Sequence, residues 1–144
     1  MQTSLRVIAT KAKQNKNYKF GNLYGLLNKD ALYQAFKDIN KNSATGIDKE
    51  TTREFVKNLD ANPEELVEEL KGKRYKAKLV KRVYIPKGNG KTRPLGLPTL
   101  RDKIIQKAVA NILEAIYEQD FLKCSYGYRP NVGAQKLLET LQMN

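Results

Sequence analysis

The chain has 144 residues, 40% of them hydrophobic, a single cysteine, no histidine and a formal net charge of +12. That length and apolar content suit one compact unit with a core of modest size. No stretch approaches the roughly 18 consecutive apolar residues of a membrane span, and the N-terminus lacks the apolar block and small-residue cleavage site of a secretory signal, so a soluble, cytoplasmic protein is expected. Cys124 alone makes an intramolecular disulfide impossible, and with no histidine the usual four zinc ligands are missing.

Residues 1–29 carry six Lys or Arg and no acid. The first 20, with Lys11, Lys13, Lys16 and Lys19 among polar residues, read as a flexible or marginally helical basic arm, and residues 1–27 as an N-terminal extension preceding a folded part, 28–144. From Asn28, an N-cap, the apolar residues Leu32, Ala35, Phe36 and Ile39 recur at helical spacing up to the polar break at residues 41–43. Ser43 to Asp48 is a turn-rich loop, and a short helix carrying Phe55, Val56 and Leu59 follows. Asn62 as a cap, Pro63 at the first helical position and Glu64 and Glu65 in the first turn predict another helix, ended by Gly72. Across residues 30–70 ten acids face five basic groups; residues 71–93 then hold ten basic residues and no acid. So many uncompensated charges repel one another unless a polyanion offsets them, which points to a nucleic-acid surface.

After Tyr75 the apolar period changes from helical to two. Val83 and Ile85 alternate with Arg82 and Tyr84, Asn89-Gly90 supplies a tight turn, and Arg93 to Leu97 returns: a β-hairpin. Pro94 cannot donate to a ladder, so its amide side must face solvent or a bulge. Thr99 and Asp102 form a capping-box-like start to the longest helix, whose two apolar rows are Ile104, Ala108, Ile112, Ile116 and Ile105, Val109, Leu113, Tyr117. Cys124 reads as a semi-buried small residue, and a turn at residues 125–130 follows, in which Tyr128 reads as a core anchor. A last helix carries Ala134, Leu137, Leu138 and Leu141. The fold class is therefore α+β, with about five helices and one hairpin.

Gly88-Asn89-Gly90-Lys91-Thr92 resembles the end of a phosphate-binding loop, but the first glycine of that motif would fall at Ile85, and a strand follows where a helix is required. The glycine-rich tip with its lysines still lets backbone and ammonium groups approach phosphates. Placed in order, Val80 to Lys87, Gly88 to Thr99, Arg101 to Gln106 and Ser125 to Pro130 (Ser-Tyr-Gly-Tyr-Arg-Pro) closely resemble consecutive blocks of group II intron reverse transcriptases. Gly46-Ile47-Asp48 and Leu70 to Tyr75 look like the N-terminal block of that family. The resemblance covers about residues 28–142 and implies the fingers subdomain of a right-hand polymerase, an RNA-directed DNA polymerase and maturase of a retroelement.

By that resemblance Lys87 and Arg93 fall where the family grips the nucleotide triphosphate. A bidentate Arg and a point-charge Lys suit the β and γ oxygens. Lys81, Arg82 and Lys91 would meet template phosphates or ribose, and Tyr126 and Arg129 would offer stacking planes to single-stranded bases. A two-residue Asn89-Gly90 loop would point Lys87 and Arg93 to opposite faces, so their pairing requires an odd-numbered loop or a bulge near Pro94. The implied partners are intron RNA, RNA template and, in the intact enzyme, a deoxynucleotide triphosphate. Magnesium is expected in the intact polymerase, with no cofactor, metal ligand or catalytic residue in this chain. The family's metal-binding carboxylates, one Asp on a strand and two in a Tyr-x-Asp-Asp hairpin, are absent, since the sequence stops before those blocks. The rival readings are a self-standing basic RNA-binding module, or a homodimer formed through apolar faces of the last two helices.

Overall fold

The computed structural model describes residues 3–122 and 124–142. Among these described residues, six α-helices and one two-stranded antiparallel sheet make an α+β fold. The elements are α1 (Thr3–Gln14), α2 (Lys29–Asp38), α3 (Thr52–Lys57), α4 (Ala61–Lys71), β1 (Lys81–Pro86), β2 (Thr92–Leu97), α5 (Leu100–Tyr117) and α6 (Ala134–Gln142), with a short 3-10 turn at Leu23–Leu26. They fall into two compact units: Asn22–Asn111, and the residues up to Gly21 together with those from Ile112 onward.

In the first unit the capping signals of α2 and α3 act where the sequence places them. The Asn28 side chain accepts the Ala31 N–H at 2.9 Å and starts α2. Thr51 and Glu54 form a reciprocal capping box on α3, which satisfies two otherwise orphaned donors. The core gathers Leu32, Ala35 and Phe36 of α2, Phe55 of α3, Leu66, Val67 and Leu70 of α4, and Leu100, Ile104 and Ala108 of α5, all buried. The Phe36 and Phe55 rings lie 5.2 Å apart at 31°, a tilted offset that suits their quadrupoles.

Asn62 is not the cap of α4. The helix begins two residues earlier than that role requires, at Ala61, and buried Asn62 donates its amide to the Phe55 carbonyl at 2.8 Å. The end of α3 is thereby hydrogen-bonded to the start of α4. Gly72 closes α4 as expected, and the Tyr24 hydroxyl donates to the carbonyl of Leu70 in its last turn.

In the second unit the N-terminal arm is a 12-residue helix. Leu5, Ile8, Ala9 and Ala12 are spaced to form one face, and Ala12 is buried while Val7 is exposed. The lysine content masked this short stripe. Ile112, Ala115 and Ile116 at the end of α5 are buried, whereas Leu113 and Tyr117 of the second apolar row are exposed. The apolar residues Leu137, Leu138 and Leu141 of α6 are exposed as well.

Candidate nucleic-acid interface

The hairpin is built by its tip. Asn89 and Gly90 have φ of 50° and 69°, the positive values that a primed two-residue turn needs at both central positions, and the Lys91 N–H closes the turn on the Gly88 carbonyl at 3.1 Å. Gly88, at φ 59°, is one extra residue in the bulge position that glycine fills most readily. It shifts the pairing so that Lys87 donates to the Lys91 carbonyl at 2.7 Å, and the ladder continues with Pro86 opposite Thr92, Ile85 opposite Arg93 and on to Lys81 opposite Leu97.

That register has two consequences. Alternation along an antiparallel ladder puts Pro86 and Pro94 at non-hydrogen-bonded positions, where a missing N–H costs no bond. It also aligns the odd-numbered residues of both strands, so Lys81, Lys87, Lys91 and Arg93 share one face with Val83, Ile85, Leu95 and Leu97. Lys87 and Arg93 are thus diagonal neighbours on that face, each one step from facing the other, because the extra residue sits at the tip rather than near Pro94. Arg82 belongs to the opposite face with Tyr84, Pro94 and Gly96.

Lys81, Arg82, Lys87, Lys91 and Arg93 are all exposed, and among the described residues none of them has an ion pair. Four of the upstream acids are engaged elsewhere: Glu64 with Lys29 at 2.6 Å, Glu50 and Glu65 with Arg101 at 3.5 and 2.9 Å, and Asp48 with Lys78 at 3.4 Å. The two tip glycines have no atom within 4 Å of an added Cβ, so the tip is open to a ligand.

The base of the hairpin is closed. Asp102, 3% exposed, accepts the Tyr75 hydroxyl at 2.6 Å, the Thr99 hydroxyl at 2.6 Å and the Lys78 N–H at 3.3 Å, while its own N–H donates to Thr99 Oγ1 at 3.2 Å. Burial, and then the bond to Asp102, hold the Tyr75 hydroxyl well above the ordinary tyrosine value of 10. Gly46 packs so closely that a Cβ there would lie 2.7 Å from Thr99 Cα and 2.8 Å from the Pro98 carbonyl oxygen. Lys103 Nζ donates to the Ala44 carbonyl at 2.6 Å and Ser43 Oγ at 3.0 Å. Sequence reasoning recognised the Thr99–Asp102 cap and missed the rest of this cluster, because Tyr75 and Lys78 reach Asp102 across more than 20 residues.

The other two candidates lie in the second unit. Arg129 donates to Glu118 at 2.7 and 3.1 Å, to the Ser125 carbonyl at 2.8 Å and to the Leu122 carbonyl at 3.1 Å, and it stacks over Phe121 at 5.0 Å. The Glu118 bond and charge raise its pKa against the opposing effect of burial. These internal partners make it the closure of its own loop. Tyr126 is half-buried. Tyr128 does not anchor a core: it is fully exposed at φ 57°. Cys124 is exposed rather than semi-buried.

No group of carboxylate or thiol side chains among the described residues is placed to hold a metal ion. These residues do not fit the metal sites of phosphoryl transfer, and no bond-making step is assigned to them. Among the same residues, no helix is long and apolar enough to cross a membrane.

No family model matches the chain. It is 37% identical over 143 residues to the group II intron-encoded protein LtrA of Lactococcus lactis subsp. cremoris, an alignment covering 96% of this chain and 23% of LtrA. It is 45% identical over 78 residues to protein YkfC of Escherichia coli K12, covering 54% of this chain and 20% of YkfC. With the uncharacterized 91 kDa protein in the cob intron of Schizosaccharomyces pombe it shares 30% over 142 residues, 92% of this chain and 17% of that protein. The chain therefore spans about a quarter or less of the length of these relatives. It belongs to the family of group II intron-encoded proteins.

Proposed function

We propose that this chain is the RNA-binding fingers region of a group II intron reverse transcriptase, and that its hairpin grips phosphate. The carrying observation is the one hairpin face that bears Lys87, Lys91 and Arg93 beside an open glycine tip and Lys81 at its base, all exposed and, among the described residues, without ion-pair partners. Lys87 and Arg93 engage the triphosphate of an incoming nucleotide; Lys81 and Lys91 follow the template backbone. Arg82, on the other face, meets a different strand segment or phosphate. Tyr126 contributes to RNA binding from the loop that Arg129 closes, and Arg129 acts there by holding the loop in shape. Cytoplasmic intron RNA is the natural polyanion for such a surface. By itself the chain binds without catalysing, since among the described residues no carboxylates are grouped to hold the metals of the reaction.

Two measurements test the reading. Binding of single-stranded RNA should weaken steeply with salt, because phosphate contacts release counterions; a salt-independent affinity would contradict it. Purified chain given a primer–template and deoxynucleotides should show no extension, and metal-dependent extension would overturn the assignment of chemistry elsewhere. The exposed α6 residues Leu137, Leu138 and Leu141 favour, as a second reading, self-association through that face. Concentration-dependent sedimentation would reveal it, and a monomer at high concentration would exclude it.

A further inference from the structure

Asp102 sits behind the hairpin and carries no contact with any proposed ligand, yet it is bonded to both feet of the hairpin. Lys78 lies three residues before β1, Thr99 two residues after β2, and Tyr75 three residues further upstream of Lys78. One buried carboxyl group accepts from all three. A carboxylate has two oxygens and only accepting capacity, so it can take three donors at once. An asparagine of the same shape has one accepting oxygen: with that oxygen kept on Thr99 and Lys78, its NH2 faces the Tyr75 hydroxyl, which must turn from donor to acceptor, and every bond loses the carboxylate's charge.

The two feet are also backed from the other side. Gly46 lies against the Thr99 backbone, and Asp48 pairs with Lys78 Nζ. A two-stranded hairpin alone is marginal in water. This one has no third strand among the described residues and is exposed along most of its length. Its orientation therefore depends on how firmly the base is held.

We infer that Asp102, with Tyr75 and Thr99, is a positioning cluster that fixes the hairpin so that its cations engage phosphates together. The inference rests on the phosphate-gripping reading of the hairpin. Loosening the base leaves every cation in place and reduces how many of them reach the polyanion at once. The effect should therefore show in the salt dependence of binding and not only in stability.

The test uses the 144-residue chain and a mixed-sequence single-stranded RNA, at a temperature where each variant is folded. In Asp102→Asn, amides of residues 81–97 should exchange at least about 10-fold faster while those of the α5 interior keep their protection. RNA affinity should fall several-fold, and the slope of log K against log salt should shrink by about 1, the equivalent of one lost phosphate contact. Tyr75→Phe removes a single bond and should give the same pattern at smaller size; it decides the matter if Asp102→Asn also loses α5 protection. Unchanged hairpin exchange in the folded variants would overturn the inference, as would faster exchange with unaltered affinity and slope. Failure of the underlying reading looks different: the wild-type chain itself would then bind RNA with no dependence on the hairpin cations.

Discussion

The base and the tip of the hairpin are opposite solutions to the placement of polar groups. At the base, Asp102 is buried and every donor around it is matched, as burial demands; Gly46 leaves no room even for a methyl group. At the tip, Lys87, Lys91 and Arg93 are exposed and, among the described residues, without ion-pair partners, and nothing lies within 4 Å of a Cβ added to Gly88 or Gly90. The difference separates what holds the hairpin from what the hairpin offers. Arg129 makes the same point within one residue type: a positive charge enclosed by Glu118 and two carbonyls has little left to offer a ligand, whereas Arg93 is wholly available.

The contrast can be broken at either end. Gly46→Ala should be the most disruptive change, because its Cβ meets backbone that can yield only by moving the Thr99 turn; a loss of about 1–3 kcal/mol is expected from denaturant titration. A wild-type midpoint in that variant would mean the base is looser than described. Gly90→Ala forces a side chain into positive φ at an open tip and should cost about 1 kcal/mol, from conformation alone. Lys87→Ala and Arg93→Ala should each change stability by less than about 0.5 kcal/mol while weakening RNA binding, which calorimetry and a binding titration distinguish. The smallest effect lies outside the hairpin. The Thr51 N–H and hydroxyl hold the Glu54 carboxylate below its ordinary value of 4.5. Its contribution to α3 is therefore present above the ordinary carboxylate range and is lost as pH falls through the lowered value. Glu54→Gln should flatten that part of the acid-unfolding curve, and an unaltered curve would show the capping box to be inconsequential.

Local chemistry was readable wherever a neighbour in sequence supplies the partner. Asn28, the Thr99–Asp102 pair, Gly72 and the Asn89-Gly90 turn all act within four residues, and each does in space what its spacing implies. The requirement for an odd loop was readable too, because side-chain parity along a strand is fixed by the count of residues. The residue that meets it, Gly88, was visible only as one more glycine. Longer reach defeated the reading. Asn62 looked like a cap because Pro63 follows it, but the helix extends back to Ala61 and the amide serves Phe55 instead. Arg129 finds Glu118 eleven residues away, and Asp102 gathers Tyr75 and Lys78 from beyond the hairpin. In α1 the signal was present at Leu5, Ile8, Ala9 and Ala12, but four small or aliphatic residues among lysines form too short a stripe to outweigh the polar composition.

The central claim is that the hairpin cations, and not the net charge of +12, bind the polyanion. Its most direct test is to replace Lys81, Arg82, Lys87, Lys91 and Arg93 together with alanine and measure RNA affinity across a salt series. The account predicts that the slope of log K against log salt falls in magnitude by about 3 to 5, with the fold intact by circular dichroism. A variant that keeps the wild-type slope and affinity would place the RNA surface elsewhere on the chain.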